Sequence, residues 1–152
     1  MSDIAHYFSP IKFSADSFHK ESFAHNFAVY TTNFPDLENI DIALIGVCED
    51  RLATSNKGCA AAPDEVRKHL YNLFAGSFAP RVADLGNIMP GHSESDTFYA
   101  LSETIDYLVR QSITPVIIGG SQDLTFAQFK GYEKLEQTIN IVSVDATSTT
   151  LV

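Results

Sequence analysis

The chain predicts an α/β fold, three layers deep, with a mainly parallel sheet between helices. Three observations carry this. Apolar runs at Ile42–Val47, Pro115–Gly119 and Ile139–Thr147 have the texture of strands covered on both faces. Segments of helical periodicity stand between them, and units of this length imply right-handed crossovers. The first and last of these runs lead into polar segments and the middle one into paired glycines, at the strand tips where such sheets gather ligands.

Taken in order, residues 1–39 form an arm crowded with rings: Phe8, Phe13, Phe18, Phe23, Phe27, Tyr30 and Phe34. The spacing of Phe23, Phe27, Tyr30 and Phe34 suits one helix face, although Thr31-Thr32-Asn33 and Pro35 stop any helix near Tyr30. The arm is expected to pack on the body, as cover for the sheet in preference to a subunit interface. Residues 40–152 then form the α/β part. After Ile42–Val47 comes a polar loop, Glu49 to Ala62, whose Glu49-Asp50-Arg51 reads as a solvated ion-pair cluster. Pro63 suits a first helical turn, Asp64 and Glu65 suit the positive end of the helix dipole, and Val66, Leu70, Leu73 and Phe74 make the apolar stripe, with Gly76 as the stop.

Arg81–Gly86 reads as a short strand, Pro90-Gly91 as a turn and Ser93 or Ser95 as an N-cap. Phe98, Leu101, Ile105, Leu108 and Val109 mark the next helix. After the strand Pro115–Gly119, a helix from about Gln122 to Glu136 buries Leu124, Ala127, Tyr132 and Leu135. The last strand, Ile139–Thr147 with Asp145 at its carboxyl end, has no helix after it, so the fold is expected to be incomplete at the carboxyl end.

Composition excludes several classes. At 152 residues and 45% hydrophobic, the chain can bury one core. A formal charge of -9 repels phosphate backbones and anionic lipid, so neither nucleic acid nor membrane is an expected partner. No apolar run approaches the roughly 20 residues of a bilayer span, and a cytoplasmic location is expected. Cys48 and Cys59 lack zinc-site spacing and read as reduced thiols. The standard dinucleotide and triphosphate fingerprints are absent. His92, in a loop at a strand tip, is the best placed of five scattered histidines, Asp84 could line the crevice, and Ser121 reads as an N-cap.

The ordered set of segments resembles the ureohydrolase family of arginase, agmatinase and formimidoylglutamase, with formimidoylglutamase the nearest in pattern. Ala62-Pro63-Asp64-Glu65-Val66-Arg67 is similar to that family's Gly-Pro-x-x-Ile-Arg helix start, and Asp84-Leu85-Gly86 to its Asp-x-Gly segment. Pro115–Gly120 resembles the strand before its Gly-Gly-Asp-His motif, and Val144-Asp145-Ala146 the start of Asp-Ala-His-x-Asp.

The resemblance implies an arginase-like fold and hydrolysis of C–N bonds in linear amidines or guanidines by a hydroxide bridging two manganese ions. It also implies where the ligands should stand. Asp145 is the one retained, while Gln122, Thr147 and Thr149 occupy the positions of a histidine, a histidine and an aspartate. Neutral oxygens cannot neutralise two adjacent divalent ions, so no cofactor and no activity are expected of this chain. Asp123 stands one residue from the lost ligand; that step turns a helical side chain by about 100°, away from the site unless the loop is rebuilt. Asp84, His92, Ser121 and Asp123 are the candidates for contacting a small amidine-like ligand. A homo-oligomer is expected. The alternatives are an active amidine hydrolase with atypical ligands in its full-length form, and a non-catalytic subunit-interaction module.

Overall fold

The computed structural model describes residues 4–77, 79–142 and 144. Five strands form one sheet: β1 (Phe8–Ser9), β2 (Phe27–Val29), β3 (Ile42–Val47), β4 (Val82–Ile88) and β5 (Thr114–Ile118). Three α-helices accompany them: α1 (Ala62–Leu70), α2 (Glu94–Arg110) and α3 (Leu124–Glu133). β3 lies between β4 and β5, parallel to both. The far edge of β4 is filled by two pieces end to end, β2 running parallel along Val82–Asp84 and β1 antiparallel against Asn87–Ile88.

The chain steps from β3 to β4 in one direction and from β4 across β3 to β5 in the other. Right-handed crossovers then place α1 on one face of the sheet and α2 on the opposite face. α3 packs against α2. On that side the core gathers Ala43, Ile45, Val47, Ala83, Leu85 and Ile88 from the sheet with Leu101, Ile105, Leu108 and Leu124 from the helices.

A bulge in β4 decides what faces α1. Leu44 pairs with Asp84 but Gly46 pairs with Asn87, so β4 spends three residues where β3 spends two. Gly86 takes the left-handed conformation at φ 82°, and an added Cβ there would sit 2.3 Å from the Ser9 carbonyl oxygen. The extra residue flips the alternation, turning Asp84 and Asn87 together toward α1 and Leu85 and Ile88 into the core.

α1 meets that polar face with Arg67. Its Nε and Nη2 donate to the two Asp84 oxygens at 2.7 and 2.8 Å, Nη2 also reaches the Gly86 carbonyl, and Nη1 donates to Asn87 Oδ1 at 2.5 Å. The Tyr71 hydroxyl donates to Asp84 as well. Burial opposes the charge on Arg67, and the Asp84 carboxylate more than offsets it. The expected apolar stripe therefore points the other way: Val66, Leu73 and Phe74 are exposed, and α1 ends at Leu70, before Gly76.

α2 begins at a capping box. The Ser93 hydroxyl accepts from the Asp96 amide and the Asp96 carboxylate accepts from the Ser93 amide. The arm departs from its expected helix: Phe23–His25 makes a single 3-10 turn, and Phe27–Val29 is strand β2. The pairing offered by β4's open edge outweighs the helical spacing of the rings. The arm thus completes the sheet and caps the core, to which Ile4 and Phe8 belong. The predicted last strand lies partly outside the described residues, and within them Ile139–Val142 forms no strand. Among the described residues no helix is long and apolar enough to cross a membrane.

Candidate functional site

β3, β4 and β5 run parallel, so their carboxyl ends open on one side of the molecule, and the loops that follow are bound to one another there. Glu49, two residues past the end of β3, is fully buried. One of its oxygens accepts from the Arg51 amide and Nε at 3.0 and 2.9 Å; the other accepts from Arg51 Nη2 and, at 2.9 Å, from the Thr97 hydroxyl. The Arg51 guanidinium holds the Glu49 carboxyl down at about 2, against the opposing effect of burial. Arg51 Nη1 also donates to the His92 carbonyl, and Thr97 Oγ1 accepts from the Gly91 amide. The loops after β3 and β4 and the first turn of α2 are tied through one carboxylate.

The loop after β5 is tied to the same residue through backbone. Gly120 approaches so closely that a Cβ would stand 1.9 Å from the Glu49 carbonyl oxygen. The Ser121 amide and hydroxyl both donate to that oxygen, at 2.9 and 3.3 Å. The second glycine of the pair at this strand tip is therefore required by the neighbouring loop. Ser121 is buried and its hydroxyl is spent on this contact, so it does not cap α3 as expected.

Beside this clasp lies a crevice of about 460 Å³, walled by Leu52 to Asn56 on one side and Ser121, Gln122 and Asp123 on the other. Gln122 is exposed there. Asp123 precedes α3 and lines the same crevice, and its Oδ2 is buried with no hydrogen-bond partner among the described residues. Asp50 folds the preceding loop by accepting from the Gly58 and Ala60 amides. Burial, then the Asp50 carboxylate, push the Cys59 thiol up, away from the thiolate form a nucleophile needs.

The other sequence candidates fall differently. Asp84 is fully buried against Arg67 and Tyr71 and lines no crevice, because the β4 bulge turns it under α1. The His92 side chain is exposed, and only its carbonyl joins the loop network. Asp145, Thr147 and Thr149 lie outside the described residues. Glu49, read from sequence as part of a solvated cluster, is the buried hub. Its signal was a carboxylate just past an apolar strand with an arginine two residues on, whereas nothing in sequence connects it to Thr97, 48 residues away.

As a metal centre the described residues do not fit. They contain no group of three or more histidine, cysteine, aspartate or glutamate side chains able to hold an ion. Gln122 offers a neutral amide, and Glu49 is saturated by Arg51 and Thr97.

A formimidoylglutamase from Macrococcus caseolyticus is 30% identical over 115 residues, covering 72% of this chain and 37% of that protein. One from Salmonella paratyphi C is 28% identical over 121 residues, covering 76% and 39%. The chain thus spans less than half the length of these curated relatives. In structure it is similar to formimidoylglutamase from Bacillus subtilis, with a TM-score of 0.60 at 22% identity over 70% of this chain and 37% of that one. It is also similar to arginase from Bacillus subtilis, with a TM-score of 0.53 at 20% identity over 62% and 34%. Residues 40–148 match the arginase family as a whole, from two residues before β3 through the Asp145 segment, and the chain belongs to that family.

Proposed function

We propose that this chain keeps the strand-tip crevice of a ureohydrolase without the charge a manganese pair needs, and that as this chain it holds a small amidine-like ligand without hydrolysing it. The observation that carries the reading is Gln122, whose uncharged carboxamide stands at the crevice wall where the family pattern has an imidazole. Two divalent ions a few ångströms apart repel strongly unless several anionic ligands neutralise them. The lining of this crevice supplies one carboxylate, Asp123.

The test is manganese titration followed by calorimetry, with an assay of linear amidine hydrolysis on the same samples. Expected are no saturable heat and no turnover. Stoichiometric binding that disappears in Asp145→Ala would defeat the proposal.

One observation favours a second reading, an amidine hydrolase with unusual ligands in a longer form of the protein. Among the described residues Asp123 Oδ2 is a buried carboxylate oxygen with no hydrogen-bond partner, in a crevice otherwise lined by neutral groups. That reading requires manganese binding by the longer protein to be lost in Asp123→Ala. Under the first reading neither the parent nor the substituted protein gives a saturable manganese heat.

A further inference from the structure

A second cavity is separate from the crevice. A groove of about 660 Å³ runs between the arm and α1, on the face of the sheet opposite the main core. Its volume falls within the roughly 300–1,000 Å³ typical of small-molecule sites. One wall is aromatic: the Phe13 and Phe18 rings stack at 5.8 Å with 22° between their planes, and both abut Tyr71, at 4.8 and 5.8 Å.

The charges lining the groove are accounted for with one exception. Arg67 spends its donors on Asp84, Asn87, Gly86 and Asp64. Lys68 pairs with Glu65 at 2.5 Å. Asp64 accepts from Arg67 and from the Asn87 amide. Lys12 is exposed at the groove and makes no ion pair among the described residues, and the Ser14 and Ser17 hydroxyls beside it have no hydrogen-bond partner there. Lys12 is thus the one ammonium of the groove without an ion-pair partner among the described residues, next to two serine hydroxyls and a ring-lined wall.

We propose that this groove binds a small aromatic carboxylate, its ring against Phe13 and Phe18 and its carboxylate at Lys12, independently of the strand-tip crevice. A planar ring matches the stacked pair in a way an aliphatic chain does not. A monoanion matches the one lysine of the groove that has no ion-pair partner among the described residues.

Calorimetry of the full chain with phenylacetate as the probe tests this, with phenylacetamide as its neutral counterpart. Expected are one saturable site for phenylacetate and binding of phenylacetamide weaker by roughly tenfold. Lys12→Ala should weaken phenylacetate by a similar factor and Lys12→Arg should retain it. Since Lys12 is exposed and unpaired, neither change disturbs the fold, which a thermal melt verifies. Gln122→Ala, in the other crevice, should leave binding unchanged. Absence of saturable binding, indifference to Lys12→Ala, or loss in Gln122→Ala would each overturn the assignment.

Discussion

Glu49 concentrates at one residue what holds the strand tips together. Its carboxyl, held at about 2 against an ordinary 4.5, is depressed on folding. A depressed acid stabilises the fold fully above its unfolded value, so this contribution is complete above about pH 4.5 and fades as the pH falls toward 2. Glu49→Gln should cost about 1–3 kcal/mol near neutrality, the range for leaving buried partners of a charged hydrogen bond unsatisfied. It should also flatten the acid limb of the stability curve in that window. Thermal melts of both proteins across pH 2–7 check this; parallel curves would show that the network contributes nothing. Gln122 is the opposite case, a residue whose importance lies in the charge it lacks, and its consequence is read by manganese calorimetry.

At the scale of elements, α1 shows how a partner overrides a pattern. Its periodicity puts Val66, Leu70, Leu73 and Phe74 on one face, yet the sheet receives Arg67 and Tyr71, because the β4 bulge has turned Asp84 and Asn87 toward the helix. Arg67→Met leaves Asp84 buried without its countercharge and should cost about 3–5 kcal/mol in urea denaturation. Val66→Ser and Phe74→Ser, which read as core changes in sequence, should each stay within about 0.5 kcal/mol because both side chains are exposed. A reversal of this ranking would mean that α1 sits the other way round. The three central strands and three helices were legible because each is local: a buried apolar run, or a period bounded by Pro63 or by the Ser93 capping box. β1 and β2 were not, since strands of two and three residues hold their conformation only by pairing with β4, more than fifty residues on.

At the scale of the molecule, the arm is part of the sheet. Removing residues 1–38 deletes β1 and β2, takes Ile4 and Phe8 from the core and bares one edge of β4. The truncated chain should lose its cooperative melt or associate through that edge, as sedimentation velocity and circular dichroism would report. A monomer melting at the parent temperature would show the arm to be an appendage.

Local order in the chain was enough to determine the class of the fold, the sequence of its central elements and the family to which it belongs, because apolar runs, caps and motif order are properties of neighbouring residues. Only the tertiary structure decided which face of α1 is buried, that Asp84 sits under a helix and Glu49 beneath the strand tips, and that Asp123 shares a crevice with Gln122. Those outcomes depend on pairings between residues far apart in the chain, where a one-residue bulge reverses a face and a buried charge goes where its partner is.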